Sequence, residues 1–217
     1  MIQIGNDKIK DIYVGSDKIK EVYYGSEKVW GEVESIQGGY WVHKNTGVKT
    51  YFDADADFIT DGVMSSPPWK DNCSEVNIPE GVTSLGDECF FYCPSLTSIN
   101  IPEGVTSLGD YCFSWGESLT SITLSESVTS LGDECFAGCA STSITLPESV
   151  TSLGGSCFAY CGSLTLATVL PATPPTLGTS AFDSAHTSFN IKVHSPYVLA
   201  YKIATNWKSY ASKISAI

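Results

Sequence analysis

The sequence predicts a mainly β fold: a solenoid of coils about 23 residues long, with a small β module before it and an α/β cap after it. One segment recurs almost unchanged four times in the middle of the chain, and its copies start at Ile78, Ile101, Leu124 and Leu146. A unit this short cannot bury its own apolar face, so successive units must stack on one another. A second, shorter repeat occupies the start of the chain and predicts the β module.

Each long repeat contains the elements of one coil. Apolar residues recur at fixed positions with Ser and Thr between them, and the alternation Ile99-Asn100-Ile101 predicts a short strand. Pro102 ends this strand, because proline has no backbone N–H to donate to a sheet. A glycine follows each Ser-Leu pair and suits a tight corner of the coil. These glycines are Gly86, Gly109, Gly132 and Gly154.

The full pattern of the repeat, Ile-Pro-x-x-Val-Thr-Ser-Leu-Gly-x-x-Cys-Phe-x-x-Cys-x-x-Leu-Thr-Ser-Ile, resembles the BspA-type leucine-rich repeat. The resemblance covers residues 71–170 and implies a leucine-rich-repeat solenoid. Such repeats are common in surface proteins of gut bacteria, in some protists and in phages, and where their function is known it concerns adhesion and recognition rather than catalysis. They usually have Ala where this chain has Cys89, Cys112, Cys135 and Cys157.

Residues 1–34 contain the shorter repeat, which has a period of 10 residues. Gly5-Asn-Asp-Lys-Ile-Lys-Asp-Ile-Tyr-Val14 is followed by Gly15-Ser-Asp-Lys-Ile-Lys-Glu-Val-Tyr-Tyr24 and by Gly25-Ser-Glu-Lys-Val-Trp30. Each unit places a turn before β-branched and aromatic residues, which predicts a strand–turn module. This decapeptide pattern resembles the opening segment of many phage tail, fibre and other virion proteins.

The resemblance to virion proteins implies that residues 1–34 attach the chain to other virion proteins or form part of a trimeric stalk. It further implies a homotrimer that is made in the host cytoplasm and located in the virion. Two points stay open. The module is either such an attachment device or a β-meander that caps the solenoid, and its strand edges pair either with residues 36–52 or with other chains.

Two further segments flank the long repeats. Residues 35–70 are predicted to form an N-terminal cap or linker and residues 171–217 a C-terminal cap, because the ends of a solenoid must be covered. Within the C-terminal segment, Asn190–Val193 is typical of a strand, and Ser195 of a helix N-cap before Pro196. Short helices are then predicted over residues 197–203 and 207–214.

The charge distribution excludes two classes of partner. The chain has a formal net charge of −12 and no Arg, and residues 71–170 contain twelve acidic residues and no Lys. A segment without cations cannot neutralise phosphates, so we expect neither a nucleic acid nor an anionic membrane surface as partner. No apolar run approaches the roughly 18 residues that span a bilayer, so no membrane insertion is expected. The first residues also lack the pattern of a secretory signal.

Eight cysteines raise the question of a metal site or of disulfides. Three pairs are spaced C-x3-C, unlike the C-x2-C of zinc sites, and the repeated cysteines fall on apolar positions. Buried, unpaired thiols are therefore the favoured interpretation. The repeated glutamates and aspartates predict a solvated acidic face rather than a calcium site, and Asp53-Ala-Asp-Ala-Asp57 lacks the glycine of a calcium loop. No metal and no cofactor are predicted.

Two residues after each repeated Phe vary from coil to coil while their neighbours do not. Tyr92, Trp115 and Tyr160 are predicted to form a partly exposed aromatic track, and the residues alongside it are Glu88, Tyr111 and Glu134. Aromatic faces flanked by acids suit contact with a host-surface glycan or protein, so these four aromatic residues are the candidate ligand-binding residues. The alternative is that the rings fill the corner of the coil or contact the N-terminal module. The variable pairs are Phe91-Tyr92, Ser114-Trp115, Ala137-Gly138 and Ala159-Tyr160.

Catalytic constellations are not evident, because His43, His186 and His194 stand outside any motif with a nucleophile. The chain is therefore not expected to be an enzyme. The first hypothesis is a non-enzymatic phage virion structural protein, a fibre or appendage subunit that displays the repeats for host-surface recognition or adhesion. The alternative is a BspA-like adhesin on a bacterial cell surface, although such an adhesin is expected to carry an export signal.

The fourth copy of the repeat follows the third after 22 residues rather than 23. Cys93 to Ile99 spans six positions, whereas Cys139 to Ile144 spans five, and the missing residue is the repeated Leu. Thr142 is left near the vacant place. We expect a locally tightened coil with a thinner core at this point.

Overall fold

The computed structural model describes residues 72–217 in full, together with Pro67 and the backbone of eight short strands between residues 12 and 64. Parallel strands dominate the repeat region, and the described part of the chain contains few helical residues. Residues that are equivalent in successive repeats lie side by side, as the repeat length predicts. The expected mainly β solenoid is confirmed.

One face of the solenoid is a sheet of two-residue strands. Its strands are β7 (Ile59–Thr60), β8 (Val63–Met64), β10 (Ser84–Leu85), β12 (Ser107–Leu108), β14 (Ser130–Leu131), β16 (Ser152–Leu153) and β18 (Thr176–Leu177). The leucines stack in register, with Leu85 beside Leu108 and Leu131 beside Leu153. Since β8 pairs in parallel with β10, coil pairing begins before the first full repeat.

The longer strands line a second face. They are β11 (Ser98–Ile101), β13 (Ser121–Leu124), β15 (Ser143–Leu146), β17 (Leu166–Val169) and β19 (Asn190–Val193). In β11 the two isoleucines are buried while Ser98 and Asn100 are exposed, which is the period of two expected of a half-buried strand. The ladder is interrupted between β13 and β15, so β11–β13 and β15–β17–β19 belong to separate parallel sheets.

The interruption coincides with the shorter repeat. Ser141 occupies the place of the missing Leu: it is buried, and its hydroxyl donates to a backbone carbonyl two residues later at 2.7 Å. Thr142 keeps the exposed place of the repeated Thr, because its carbonyl accepts the N–H of Thr165 as that of Thr97 accepts the N–H of Thr120. The expectation that Thr142 lies near the vacant place is therefore wrong. A small hydroxymethyl group replaces an isobutyl group, so the core is thinner here.

A continuous column of phenylalanine rings fills the core. The rings stack nearly parallel, with centroids 5.2 Å apart for Phe90 and Phe113 and 5.1 Å apart for Phe113 and Phe136. Phe158 and Phe182 extend the column into the next two coils. The spacing is close to one strand separation, so the column follows directly from the stacking of coils.

The repeated glycines are explained by close approach between coils rather than by a tight corner. A Cβ on Gly132 would lie 2.6 Å from the carbonyl carbon of Gly109 and 2.7 Å from the backbone nitrogen of Asp110, both in the preceding coil. The residues of these turns that have a left-handed backbone are other residues, such as Glu88 and Tyr92. The expectation that these glycines serve a tight corner is therefore wrong. The backbone of the neighbouring coil excludes a side chain at these positions.

Short antiparallel pairs of strands precede the solenoid. The pairs within residues 1–34 are β1 (Ile12–Val14) with β2 (Asp17–Ile19) and β3 (Val22–Tyr24) with β4 (Glu27–Trp30). In the sequence, the residues between the paired strands are the Gly-Ser steps of the decapeptide repeat. Attachment to other virion proteins through this segment, and a homotrimer, stay predictions.

A further hairpin joins the start of the solenoid. It consists of β5 (Gly39–His43) and β6 (Lys49–Phe52), and β5 pairs antiparallel with β9 (Cys73–Asn77). Of the two strands within residues 36–52, β5 therefore pairs with the first long strand of the repeat region, and β6 pairs with β5. The segment Asp53-Ala-Asp-Ala-Asp57 lies outside the described residues.

The coil pattern continues past residue 170. Strand β18 adds to the two-residue sheet, Phe182 adds to the phenylalanine column, and β19 pairs in parallel with β17. Coil geometry therefore runs on to Val193. The domain boundaries themselves stay predictions: 1–34, 35–70, 71–170 and 171–217.

The last residues lie on the end of the core. They form a 3-10 turn (Ser195–Tyr197), helix α1 (Val198–Ile203), a 3-10 helix (Trp207–Lys213) and β20 (Ile214–Ala216), which pairs with β19. The phenol of Tyr201 donates to the carbonyl of Pro171 at 2.7 Å, and the indole of Trp207 donates to that of Pro175 at 2.7 Å. The expected N-cap is wrong, because Ser195 lies within the turn and His194 stands at the cap position without a side-chain bond.

Candidate recognition surface

Each repeated turn passes twice through the left-handed region of backbone space, at positions four residues apart. In the turn that follows Leu108 these positions are Tyr111 (φ 56°) and Trp115 (φ 58°). Their backbone N–H groups donate to carbonyls of the next coil, at 2.8 Å from Tyr111 to Asp133 and at 2.7 Å from Trp115 to Ala137. These bonds give the turn the same shape from coil to coil.

The second left-handed position carries the predicted aromatic track. Tyr92, Trp115 and Tyr160 are 55%, 40% and 60% exposed, and we call these three residues the aromatic ridge. The first member of a variable pair lies inside the coil, as the buried Ser114 and Ala159 illustrate. The exposed large side chains of these pairs belong to the second members, while Phe91 is half-buried. The role of the ridge and of Tyr111 in ligand binding stays a prediction.

The backbone of the ridge residues is disfavoured for large side chains. At positive φ the Cβ crowds the following carbonyl, which costs about 1–2 kcal/mol per residue. Gly138, at the equivalent position (φ 71°), avoids this cost. Rings that stay largely exposed, such as those of Tyr92 and Tyr160, recover little of the cost by packing. The left-handed backbone is common to the repeated turns, as Ser184 shows, whereas the large exposed side chains are particular to the ridge.

Gly138 allows two ridge residues to touch. The indole of Trp115 extends over Gly138, where an added Cβ would lie 2.7 Å from Cε3 of the indole. It thereby reaches Tyr160, two coils away, with ring centroids 6.0 Å apart and ring planes 19° apart. Sequence reasoning assigned no role to Gly138, although a glycine at a position that is aromatic in three other coils was an available signal.

Tyr111 flanks the ridge and bonds to a carboxylate. Its exposed phenol donates to Oε1 of Glu134 at 3.2 Å. The charge of Glu134 raises the pKa of Tyr111 most, followed by this hydrogen bond, by desolvation, and by the charges of Asp110 and Asp133. This side of the ridge therefore lies in a negative potential.

The repeated aspartates stabilise the solenoid itself. Oδ1 of Asp87 accepts the backbone N–H of Asp110 at 2.8 Å, and Oδ1 of Asp110 accepts that of Asp133 at 2.7 Å. Each carboxylate thus ties one coil to the next. Among the residues that the structure describes, no group of three or more His, Cys, Asp or Glu side chains is arranged to hold a metal ion. The repeated glutamates are exposed, namely Glu80, Glu103, Glu126 and Glu148.

All eight cysteines are buried thiols outside any disulfide, which confirms the favoured interpretation. Burial raises the pKa of Cys112, Cys139 and Cys157 well above its ordinary value, and raises that of Cys161 to about 11. The thiol of Cys139 donates to the carbonyl of Phe113 at 3.2 Å. Because the thiolate is the reactive form, thiols held protonated in this way serve packing.

Comparison with known families identifies the repeats. A model of the BspA type leucine-rich repeat region matches residues 69–196 in six copies, which is more than half of the chain. The chain belongs to this family. Repeats of the BspA type are typical of non-enzymatic binding proteins. No curated protein matches the chain.

Solved structures show the same solenoid. The T. pallidum leucine-rich repeat protein TpLRR is 22% identical, with a TM-score of 0.50 over 71% of this chain and 66% of that chain. The pneumococcal vaccine antigen PcpA is 15% identical, with a TM-score of 0.53 over 78% of this chain and 44% of that chain. These two likenesses support the fold alone, and they confirm the expected leucine-rich-repeat solenoid.

A leucine-rich cell surface protein from Faecalibacterium prausnitzii is 30% identical, with a TM-score of 0.42 over 51% of this chain and 39% of that chain. This BspA-type chain thus spans less than two thirds of the length of each of these three proteins. Within the described residues, none of the helices combines the length and the apolar character that crossing a bilayer requires.

Proposed function

We propose that this protein is a non-enzymatic surface-recognition protein that binds a host-surface glycan or protein through the aromatic ridge. The observation that carries the proposal is the ridge itself, three exposed aromatic residues at a turn position where other coils carry Gly138 or Ser184. Trp and Tyr provide large contact areas and supply much of the binding energy of protein interfaces. The adhesion and recognition typical of BspA-type repeats support the same function.

The chemistry around the ridge suits binding rather than catalysis. Its ionisable neighbours, Tyr111 and Glu134, are hydrogen bonded to each other, and the pKa of Tyr111 is raised. A general acid or base works best when its pKa lies near the operating pH, and this phenol moves away from that range. Contact with a ligand requires no such group.

The virion is the location that we propose, with the chain as a fibre or appendage subunit. The decapeptide repeat of residues 1–34 supports this location, because it resembles the opening segments of virion proteins. The chain then forms a homotrimer and contacts other virion proteins through this segment. Multi-angle light scattering of the purified full chain is expected to give three times the chain mass of 23.3 kDa. A strict monomer at high protein concentration would contradict the trimer.

A bacterial cell surface is the alternative location. BspA-type repeats are common in surface proteins, which favours it, whereas the decapeptide repeat favours the virion. Electron microscopy with an antibody against the repeats separates the two. Labelled phage particles support the virion, and labelled bacterial envelopes without labelled particles contradict it.

The ridge is tested by removing its largest ring. Trp115→Ala is expected to weaken attachment to host cells about tenfold or more, since truncating an interface anchor typically costs about 2 kcal/mol. Tyr92→Ala and Tyr160→Ala should give smaller losses. Co-sedimentation of fluorescently labelled protein with host cells measures attachment, and urea unfolding of the same proteins measures stability.

The matched control is Leu199→Ala, because Leu199 is an exposed apolar residue on α1, outside the repeated turns. Leu199→Ala should leave attachment unchanged. The Trp115→Ala protein should lose under about 1 kcal/mol of unfolding free energy, so that weaker attachment reflects lost contact. Unchanged attachment in all three ridge variants would contradict the proposed function.

A further inference from the structure

The aromatic ridge lies in the most acidic part of the chain. Residues 71–170 contain twelve Asp and Glu residues and no Lys or Arg, whereas residues 171–217 contain four Lys and one Asp. Negative potential is therefore concentrated on the coils whose rings are exposed. The carboxylates in the turns of Tyr92 and Trp115, and in the turn of Gly138 that follows, are Asp87, Glu88, Asp110, Asp133 and Glu134.

This potential acts on Tyr111, which flanks the ridge. Oε1 of Glu134 lies 3.2 Å from the phenol of Tyr111, which stands four residues before Trp115 in the same turn. Asp110 and Asp133 act on the same phenol by their charge, although each also accepts a backbone N–H. A neutral amide donor leaves the charge of a carboxylate in place. Residues 71–170 supply no cation to compensate it.

We propose that the ridge binds a cationic segment of a partner protein, whose Arg side chains stack on Trp115 and Tyr160 and pair with the carboxylate of Glu134. The inference rests on the proposed recognition function and names the chemistry of its ligand. The face of an aromatic ring attracts a guanidinium through its quadrupole, and a neighbouring carboxylate adds a charge-assisted hydrogen bond. Anionic ligands gain neither interaction and are repelled by the acidic coils.

Arginine fits this arrangement better than other ligand groups. A planar guanidinium stacks flat on a ring while its N–H groups bond to a carboxylate, and a flexible stem carries it to both partners. A neutral glycan gains contact with the rings but nothing from the charges. The ammonium of an amino sugar is fixed close to its ring and lacks the planar fork of a guanidinium. A segment with several positive charges also associates faster with a chain of net charge −12.

The test is titration calorimetry of the full-length protein with a hepta-arginine peptide at about 0.15 M NaCl. Hepta-lysine, hepta-glutamate, an N-acetylglucosamine oligomer and its deacetylated form serve as comparison ligands. We expect hepta-arginine to bind most tightly and hepta-glutamate not to bind. Trp115→Ala should weaken hepta-arginine binding about tenfold, while Trp115→Phe, which keeps a ring, should retain most of the affinity.

Two further variants separate the ridge from the overall charge of the protein. Glu134→Gln removes the carboxylate beside Tyr111, and Glu103→Gln removes an exposed carboxylate between β11 and β12, in a different turn of the coil. Both variants change the net charge equally. Glu134→Gln should weaken hepta-arginine binding about fivefold or more, and Glu103→Gln less than about twofold.

Equal losses in the two glutamate variants, together with unchanged binding by Trp115→Ala, would overturn the inference, because they indicate attraction to overall charge alone. The inference is also overturned if the N-acetylated or the deacetylated oligomer binds more tightly than hepta-arginine and if Trp115→Ala weakens that binding. In that case the recognition function stands, with a glycan as its ligand. The recognition function fails separately, when host-cell attachment does not depend on the ridge at all.

Discussion

Two aromatic columns run along the solenoid, one inside the core and one on its surface. Phe113 is almost fully buried and stacks on its neighbours, whereas Trp115, two residues later, is 40% exposed. The inner column repeats the same residue because close packing accepts one shape, and the outer position varies because solvent imposes none. The difference teaches that neighbouring residues of one turn divide into a buried residue that packs the core and an exposed residue that the core leaves free to vary.

A substitution in the inner column should have the largest effect on the unfolding free energy. Phe113→Ala should lower the unfolding free energy by about 3–5 kcal/mol, because it opens a cavity between two stacked rings. Urea unfolding followed by circular dichroism measures the loss, with Trp115→Ala as the matched aromatic-to-alanine control. A loss as small as that of the control would mean that the inner column does not support the coil.

Alkaline pH should also destabilise the core. Burial raises the pKa of Cys161 from 9.0 to about 11, so its stabilising effect is complete below pH 9.0 and is lost as pH rises through about 11. In that window the thiol of Cys161 lowers the unfolding free energy by about 1.4 kcal/mol per pH unit. Urea unfolding across this range measures the slope.

The control for the alkaline loss is Cys161→Ala, since the next coil has Ala185 at the equivalent position. This variant should lose stability less steeply above pH 9.0 than the parent protein. An identical slope in both proteins would contradict the role of this thiol.

The shorter repeat offers a way to strengthen the core. Inserting Leu between Ser141 and Thr142 restores the length of the coil and the missing side chain, and should stabilise the protein by about 1–2 kcal/mol. The melting temperature should then rise by a few degrees. Inserting Ser at the same place restores the length alone and should give no rise. An unchanged melting temperature with Leu would mean that the buried Ser141 has already closed the gap.

The smallest effect on stability is expected at the surface column. Gly138→Ala places a Cβ at positive φ and against the indole of Trp115, which should cost about 1 kcal/mol and separate Trp115 from Tyr160. The free energy of host-cell attachment should decrease by more than the free energy of unfolding. The matched control is Gly162→Ala, because a Cβ there meets nothing within 4 Å. Equal effects of the two variants would argue against a role for the Trp115–Tyr160 stack.

Sequence periodicity determined the fold class and the inner columns. Equivalent residues of a stacked repeat must lie side by side, so the recurrence of Leu85 and Phe90 in every coil is enough to predict continuous buried columns. The exposed rings at Tyr92, Trp115 and Tyr160 were also predictable, because they vary where their neighbours do not. The acidic character of the coils follows from composition alone.

Only the tertiary structure decided how these residues meet. The left-handed backbone at Trp115, its path over Gly138 and its stack on Tyr160 depend on contacts between coils, which a repeat pattern does not encode. The place of Ser141 in the core likewise depends on which register the neighbouring coils impose on a shortened turn. Periodicity determines which residues are equivalent, whereas packing between coils determines the direction in which each side chain points.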